Sequence, residues 1–290
     1  MSSPAPIRVE GLAYAYPDAA EPTLHGLDFA VEDGEIFGFL GPSGAGKSTT
    51  QRILIRLLRG YVGRCEVLGR EVSAWGPEYL AEIGVSFELP NHYARLTARE
   101  NLAHFAGLYP PPCRAPEEVL EWVGLGEAAD QRVGTFSKGM KIRLNVARSV
   151  LHRPRLLFLD EPTGGLDPAS ARRMKSLVRH LRDEGATVFV TTHDMAVASE
   201  LCDRVAFITE GRLQAIGAPT DLQRAHGRRE VRVEWTSEDG PRQACFPLDG
   251  LADQPGFLAA LRAGRIEAIH SQETTLEQVF IEVTGRRLDP

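Results

Sequence analysis

The segment Gly41–Thr49 reads GPSGAGKST and carries residues suited to binding phosphate groups. It fits the pattern G-x-x-x-x-G-K-[ST], in which glycines let backbone N–H groups turn toward phosphate oxygens. Lys47 can reach the β- and γ-phosphates, and the Ser48 hydroxyl suits Mg²⁺. The residues expected to bind phosphates are Gly41, Pro42, Ser43, Gly44, Ala45, Gly46, Lys47, Ser48 and Thr49. A structural glycine-rich turn is the alternative, and the apolar strand before it and the helix after it argue against that reading.

Two carboxylates follow a second apolar segment, Leu156–Asp160, which leads directly into Glu161. Ligands of open α/β sheets bind at the carboxyl ends of the strands. We expect Asp160 to hold Mg²⁺ and Glu161 to activate or orient a water against the terminal phosphate. Carboxylates at a helix start are the alternative, so this expectation depends on the phosphate loop.

A histidine follows a third apolar segment in the sequence TVFVTTHD. His193 is expected at the same sheet edge, where it can hydrogen-bond the terminal phosphate or the attacking water. A lone histidine is more often structural, and it is the shared edge that favours the functional reading. Asp194 is predicted to cap the next helix.

The elements that position these residues alternate between strands and helices. The predicted buried strands are Glu35–Leu40, Leu156–Asp160, Thr187–Thr191 and Val205–Thr209. The predicted helices between them include Lys47–Leu58, Lys141–Leu151 and Pro168–Asp183. Because the strands are apolar at consecutive positions, they are typical of a parallel sheet covered on both faces, and we predict a doubly wound α/β core.

Other segments are predicted to surround this core. Strands at Ile7–Tyr16 and Leu27–Val31 indicate a small antiparallel sheet, and residues 90–152 indicate a helical insertion. We expect one domain over residues 1–225 and a small α+β appendage over residues 226–290. The predicted appendage elements are strands in HGRREVRVEW and RQACFPL and helices at Gln254–Arg262 and Thr274–Val283.

Composition excludes several classes of protein. The 290 residues carry a net charge of −6, which argues against nucleic acid as a partner. No apolar run approaches the roughly 20 residues that cross a bilayer, and the N-terminus lacks a signal-peptide pattern. The four cysteines match no zinc-binding spacing and are expected to be reduced thiols of a cytosolic protein.

The segment Phe136–Lys141, FSKGMK, completes a set of motifs in which the chain resembles the nucleotide-binding subunit of ABC transporters. The resemblance covers roughly residues 7–225 and implies a P-loop NTPase core, ATP as ligand and Mg²⁺ as cofactor. It places Ser137 and Gly139 in the signature turn, where they would meet the γ-phosphate of ATP bound to an opposing subunit. Further positions implied are Tyr16 stacking on adenine, Asp167 in the D-loop sequence GGLDP, and Glu88 at the Q-loop glutamine.

Two residues depart from the family pattern. Lys138 replaces a small residue of the signature, and Glu88 replaces glutamine. A carboxylate binds Mg²⁺ more strongly than an amide oxygen, so we expect Glu88 to be a metal ligand alongside Ser48 and Asp160. The alternative is that Glu88 points to solvent or pairs with a nearby arginine such as Arg95.

The resemblance implies an ATP-hydrolysing subunit that powers export of a small, amphipathic compound. Its implied partners are a separate transmembrane permease, expected to dock near Leu89–Leu102 through His92 and Tyr93, and a second ATP-binding subunit, either an identical copy or a paralogue. Its implied location is the cytoplasmic face of the membrane, and the tail Glu273–Gly285 also resembles drug-exporting subunits. The alternatives are a soluble ABC-type ATPase, a metabolic kinase and a non-hydrolysing binding module.

Overall fold

The computed structural model describes residues 5–17, 19–226, 230–237, 240–272 and 274–286. Residues 227–229 of the predicted first appendage strand and Glu273 of the C-terminal similarity lie outside the described residues. The chain divides into two compact units, one running to Gly217 and one beginning at Ala218. That residues 1–225 and 226–290 form separate domains stays a prediction.

The first unit contains both the predicted core and the predicted antiparallel sheet. Its strands are β1 (Ile7–Tyr14), β2 (Leu24–Val31), β3 (Ile36–Leu40), β4 (Val62–Val67), β5 (Arg70–Glu71), β6 (Ile83–Ser86), β7 (Leu156–Asp160), β8 (Thr187–Thr192), β9 (Arg204–Thr209) and β10 (Arg212–Gly217). Its α-helices are α1 (Lys47–Leu54), α2 (Tyr79–Glu82), α3 (Ala98–Ala106), α4 (Pro116–Trp122), α5 (Lys138–Ser149), α6 (Pro168–Asp183) and α7 (Met195–Leu201). Short 3₁₀ turns lie at Val72–Ala74, Gly126–Ala128 and Val133–Thr135.

The main sheet has six strands in the order β10-β9-β3-β8-β7-β6. All neighbouring pairs are parallel except β10 with β9, which is antiparallel at the edge. Every residue of β3 and β8 is buried, as expected for strands covered on both faces. The predicted mostly parallel α/β sheet is therefore confirmed, and its parallel strands bring the carboxyl ends of β3, β6, β7 and β8 to one edge.

A second sheet, in the order β2-β1-β4-β5, packs its apolar side chains into the same core. All its strand pairs are antiparallel, as expected. Phe29 of β2 lies 5.9 Å from Phe37 and 5.4 Å from Phe39 of β3, measured between ring centroids. These aromatic contacts fix β3, and therefore the start of the phosphate loop, against the second sheet.

Several predicted boundaries were wrong for identifiable reasons. Helix α1 ends at Leu54 and not at Leu58, because Arg56 has a left-handed backbone with φ of +64°. Helix α5 begins at Lys138 and not at Lys141, because the Ser137 side chain accepts a hydrogen bond from the Met140 N–H and caps it. Strand β2 begins at Leu24 because the pairing with β1 extends that far.

The second unit is a small α+β structure. Its elements are α8 (Pro219–His226), β11 (Glu230–Ser237), β12 (Gly240–Pro247), a 3₁₀ turn (Leu251–Asp253), α9 (Pro255–Arg262), β13 (Arg265–Gln272) and α10 (Leu276–Thr284). The strands form an antiparallel sheet in the order β12-β11-β13, with α9 packed against β11 and β12, while α8 packs against α10. The predicted pair of strands and two helices are present, and strand β13 was missed.

Candidate functional site

A cleft of about 440 Å³ lies at the carboxyl edge of the main sheet. Its walls are formed by Tyr16, Thr23, Ser43, Gly44, Gly46, Lys47, Ser48, Thr49, Glu88, Asp160, Glu161 and His193. These residues come from the segment between β1 and β2, the loop after β3 with the start of α1, the segment after β6, the end of β7 and the turn after β8. The fold therefore brings together most of the site residues predicted from the sequence.

The loop after β3 has the open backbone that phosphate binding needs. Gly44 has φ of +80°, and a Cβ there would meet no atom within 4 Å. Gly46 has φ of +107°, and a Cβ there would lie 2.6 Å from Leu24 Cδ2. At Gly41 a Cβ would lie 2.1 Å from the Ile208 carbonyl oxygen. Glycine is thus required at Gly41 and Gly46 by close neighbours, whereas at Gly44 only the backbone conformation requires it.

Lys47 is buried, with 8% of its surface exposed, and its ammonium contacts the first two residues of the loop. Its Nζ donates to the carbonyl oxygens of Gly41 at 2.6 Å and Pro42 at 3.0 Å. Burial lowers the pKa of Lys47, and the negative charges of Glu161, Asp160 and Glu88 oppose that shift. Phosphate oxygens in the cleft would supply alternative acceptors for this ammonium.

Glu161 is held by three hydrogen bonds from the last residue of β8 and the turn after it. Its Oε1 accepts from the His193 N–H at 3.0 Å and lies 2.7 Å from His193 Nδ1, while its Oε2 accepts from Thr192 Oγ1 at 2.9 Å. A carboxylate has about four acceptor positions, so one is left for a water. Its backbone has φ of +47°, a conformation that costs about 1–3 kcal/mol outside glycine and recurs at functional sites.

Sequence reasoning assigned no role to Thr191 and Thr192, the last two residues of β8. Thr191 donates its hydroxyl to Asp160 Oδ1, as Thr192 does to Glu161. Each carboxylate at the end of β7 is therefore oriented by a hydroxyl from the adjacent strand. Asp194 caps α7 as predicted, accepting from the backbone N–H groups of Ala196 and Val197 at 2.9 and 3.0 Å.

Hard oxygen donors suited to Mg²⁺ lie in the cleft wall. They are the Ser48 hydroxyl and the carboxylates of Asp160 and Glu88. Burial raises the pKa of Asp160, and the negative charge of Glu88 adds to this rise, which a divalent cation would reverse. Among the described residues, no three His, Cys, Asp or Glu side chains are grouped so that they could hold a metal by themselves. The donor set therefore fits Mg²⁺ only together with phosphate oxygens.

Tyr16 is one of the residues that form the cleft wall. Its hydroxyl is 3.2 Å from Thr49 Oγ1, and its ring lies edge-on to Tyr14 at 5.1 Å between centroids. The ring is half-buried and keeps one surface in the cleft wall. This position is compatible with stacking on an aromatic base.

Six predicted ligands are absent from the walls of this cleft: Gly41, Pro42 and Ala45 of the phosphate loop, and Ser137, Gly139 and Asp167 outside it. Ser137 caps α5, and Asp167 caps α6 by accepting from the N–H groups of Ala169 and Ser170, both at 3.0 Å. A Cβ at Gly139 would lie 3.4 Å from Leu166, so the two exposed turns are neighbours. Their predicted action on a nucleotide of a second subunit stays a prediction.

Comparison with known proteins identifies the family. The family model "ABC transporter" matches residues 24–164. A fluoroquinolones export ATP-binding protein of Mycobacterium tuberculosis is 54% identical over 97% of this chain and 94% of its own length. The chain belongs to the ABC transporter ATP-binding family. A bacitracin transport ATP-binding protein of Bacillus licheniformis is 42% identical over 73% of this ABC subunit and 70% of its own length.

Two further comparisons concern the fold and the second unit. The solved structure of an ATP-binding subunit of an ABC transporter matches with a TM-score of 0.68 and 30% identity, over 76% of this chain and 93% of that one. The family model "Fluoroquinolone efflux ABC transporter C-terminal domain" matches residues 229–273. The predicted family and fold are thus confirmed, and the chain is an ABC ATPase whose ATP hydrolysis is coupled to transport.

Proposed function

We propose that this ABC subunit hydrolyses ATP in the cleft and so drives export of a small amphipathic compound through a separate membrane protein. The relatives named above as export and transport proteins support this function, and they do not favour a soluble ABC ATPase, a kinase or a non-hydrolysing module. The C-terminal match supports a fluoroquinolone or a chemically similar compound as cargo. The observation that carries the proposal is the Glu161–His193 pair in the wall of the cleft that Lys47 also lines.

The geometry of the cleft and the resemblance to the family support a chemical role for each site residue. The phosphate loop and Lys47 bind the triphosphate, and Tyr16 stacks on the adenine. Glu161, with its remaining acceptor position, takes a proton from the attacking water. Since the Glu161 carboxylate accepts from His193 Nδ1, that nitrogen carries the proton. Nε2 of the neutral ring then accepts a hydrogen bond from the water, whereas only the protonated ring donates to a terminal phosphate oxygen. Mg²⁺, held by Ser48, Asp160 and Glu88, would neutralise negative charge on the phosphates.

The site is completed by a second copy of this subunit or by a paralogue. Ser137, Gly139 and Asp167 lie on neighbouring exposed turns outside their own cleft. A helix N-terminus such as that of α5 attracts an anion, so the turn at Ser137 is suited to a phosphate presented by the partner. ATP then binds two subunits together, and its hydrolysis releases them.

The membrane partner docks on the segment that follows Glu88. Leu89 and Tyr93 expose 80% and 51% of their surfaces, which is unusual for large apolar side chains. His92, predicted as a second contact, is instead half-buried, with Nε2 2.9 Å from the Lys141 carbonyl oxygen. No helix among the described residues has the length and apolar character needed to span a bilayer. We place the subunit at the cytoplasmic face of the membrane through this contact.

Glu161→Gln tests the hydrolytic function. An amide keeps the acceptor oxygen for His193 but cannot take a proton, so we expect nucleotide affinity to stay within about twofold while kcat falls about 10²–10⁴-fold. Gel filtration of this variant with ATP should give a dimer. The exposed carboxylate variant Glu127→Gln is the matched control and should hydrolyse ATP like the wild type. A Glu161→Gln protein with more than about a tenth of wild-type turnover would contradict the assigned base.

A further inference from the structure

The segment that carries Glu88 is attached to one buried side chain of helix α5. We define the Glu88 segment as residues 87–92. Asn145 is 1% exposed, and its Nδ2 donates to Ser86 Oγ at 3.0 Å and to the Phe87 carbonyl oxygen at 2.8 Å. The two acceptors directly precede Glu88 in the chain. Asn145 therefore fixes the backbone from which the Glu88 side chain enters the cleft wall.

Two further contacts tie the far end of the Glu88 segment to the same helix. Arg148 donates to the Asn91 carbonyl oxygen and to Asn145 Oδ1, both at 2.7 Å. His92 Nε2 lies 2.9 Å from the carbonyl oxygen of Lys141, in the second turn of α5. The Arg148 guanidinium also lies over the Phe105 ring, at 4.6 Å from its centroid, which restrains it further. Both ends of the Glu88 segment thus follow any movement of α5.

We propose that Asn145 is a positioning residue, which holds the Glu88 carboxylate at the metal-binding edge of the cleft and links it to the helix that Ser137 caps. The inference rests on the proposed function of Glu88 as a magnesium ligand. An irregular segment that carries an exposed glutamate has many conformations, and ordering it costs conformational entropy. Asn145 provides that order with two buried hydrogen bonds, which an apolar side chain of the same size cannot make.

Asn145→Leu tests the structural part of the proposal by amide hydrogen exchange. Losing two buried hydrogen bonds should raise exchange in residues 87–92 by about tenfold or more, while β7 and β8 keep wild-type protection. Ser149→Ala is the matched control, since Ser149 is buried in the same helix but bonds only to the Val146 carbonyl oxygen at 2.8 Å. If Asn145→Leu does not fold, Asn145→Asp serves instead, because it keeps the acceptor for Arg148 and loses both donated bonds.

A double-mutant cycle with Glu88→Ala tests the functional part. We expect Asn145→Leu to raise the Mg²⁺ concentration for half-maximal ATP hydrolysis about fivefold, and to have no such effect when Glu88 is already alanine. An equal shift in both backgrounds, no shift in either, or unchanged exchange in residues 87–92 would each overturn the proposal. A wild-type chain without ATP hydrolysis would instead refute the proposed function, and hydrogen exchange would still test the positioning.

Discussion

The carboxylate of Glu88 makes this subunit sensitive to magnesium in a way that can be measured by nucleotide binding. Three carboxylates, Glu88, Asp160 and Glu161, share the cleft wall with the single ammonium of Lys47. A nucleotide without metal therefore meets an excess of negative charge. Glu88→Gln removes one unit of it while preserving the size of the side chain.

The size of the effect follows from Coulomb's law. Because Glu88 is exposed, an effective dielectric constant of about 40 is appropriate, between the surface and bulk-water values. At a separation of about 6 Å, one unit of phosphate charge is then repelled by about 1.4 kcal/mol, which corresponds to about tenfold in affinity. In the presence of Mg²⁺ the repulsion is replaced by ligation, so Glu88→Gln should leave binding unchanged or weaken it.

The assay is a titration of the protein with fluorescent ADP, once in excess EDTA and once in saturating Mg²⁺. In Glu88→Gln the affinity for the nucleotide in EDTA should rise. The dissociation constant in EDTA divided by that in Mg²⁺ should therefore fall by about tenfold or more relative to the wild type. Glu82→Gln, a carboxylate of α2 outside the cleft walls, is the matched control and should keep the wild-type ratio. Equal ratios in wild type and Glu88→Gln would show that Glu88 is not part of the metal site, and the reasoning on its charge would be wrong.

Three other predictions concern different parts of the chain. The double variant Leu89→Ser, Tyr93→Ser should abolish the stimulation of ATP hydrolysis by the membrane partner, measured in proteoliposomes. Basal hydrolysis should stay unchanged because both side chains are exposed, and full stimulation would exclude this docking surface. Gly46→Ala should lower the free energy of unfolding, measured by urea unfolding, by about 2–3 kcal/mol, because the new Cβ strains the backbone and contacts Leu24. Gly44→Ala should lower it by only about 1 kcal/mol, because only the backbone is strained there. Equal losses would contradict the steric argument. Burial lowers the pKa of His152, so the unfolded chain binds a proton first and stability falls as pH decreases below about 6.5. Between pH 7.5 and 5.5 the free energy of unfolding should therefore fall less in His152→Gln than in the wild type, by up to about 1 kcal/mol. Urea unfolding at both pH values measures this difference, and identical losses in the two proteins would show that His152 is not responsible.

The sequence alone determined the parts of this protein whose residues are neighbours along the chain. The phosphate loop is nine consecutive residues, and the strands ending at Asp160 and before His193 are continuous apolar runs, so local pattern was enough to predict them. From the parallel arrangement it followed that these ends share one edge. Capping by Ser137 and Asp194 is likewise a local effect, although the start of α5 was predicted three residues late.

Tertiary structure decided the features that depend on residues far apart in the chain. Asn145 and Ser86 are separated by 59 positions, and Thr192 and Glu161 by 31, so no periodicity indicates that they bond. His92 was predicted as a docking contact because it is partly apolar and lies in a loop that begins with proline, but the fold buries half of it and places its Nε2 against the Lys141 carbonyl oxygen of α5. Hydrogen bonds within a helix or turn follow from the local chain, whereas those that orient the site arise only when the strands of one sheet and the helices over it are packed together.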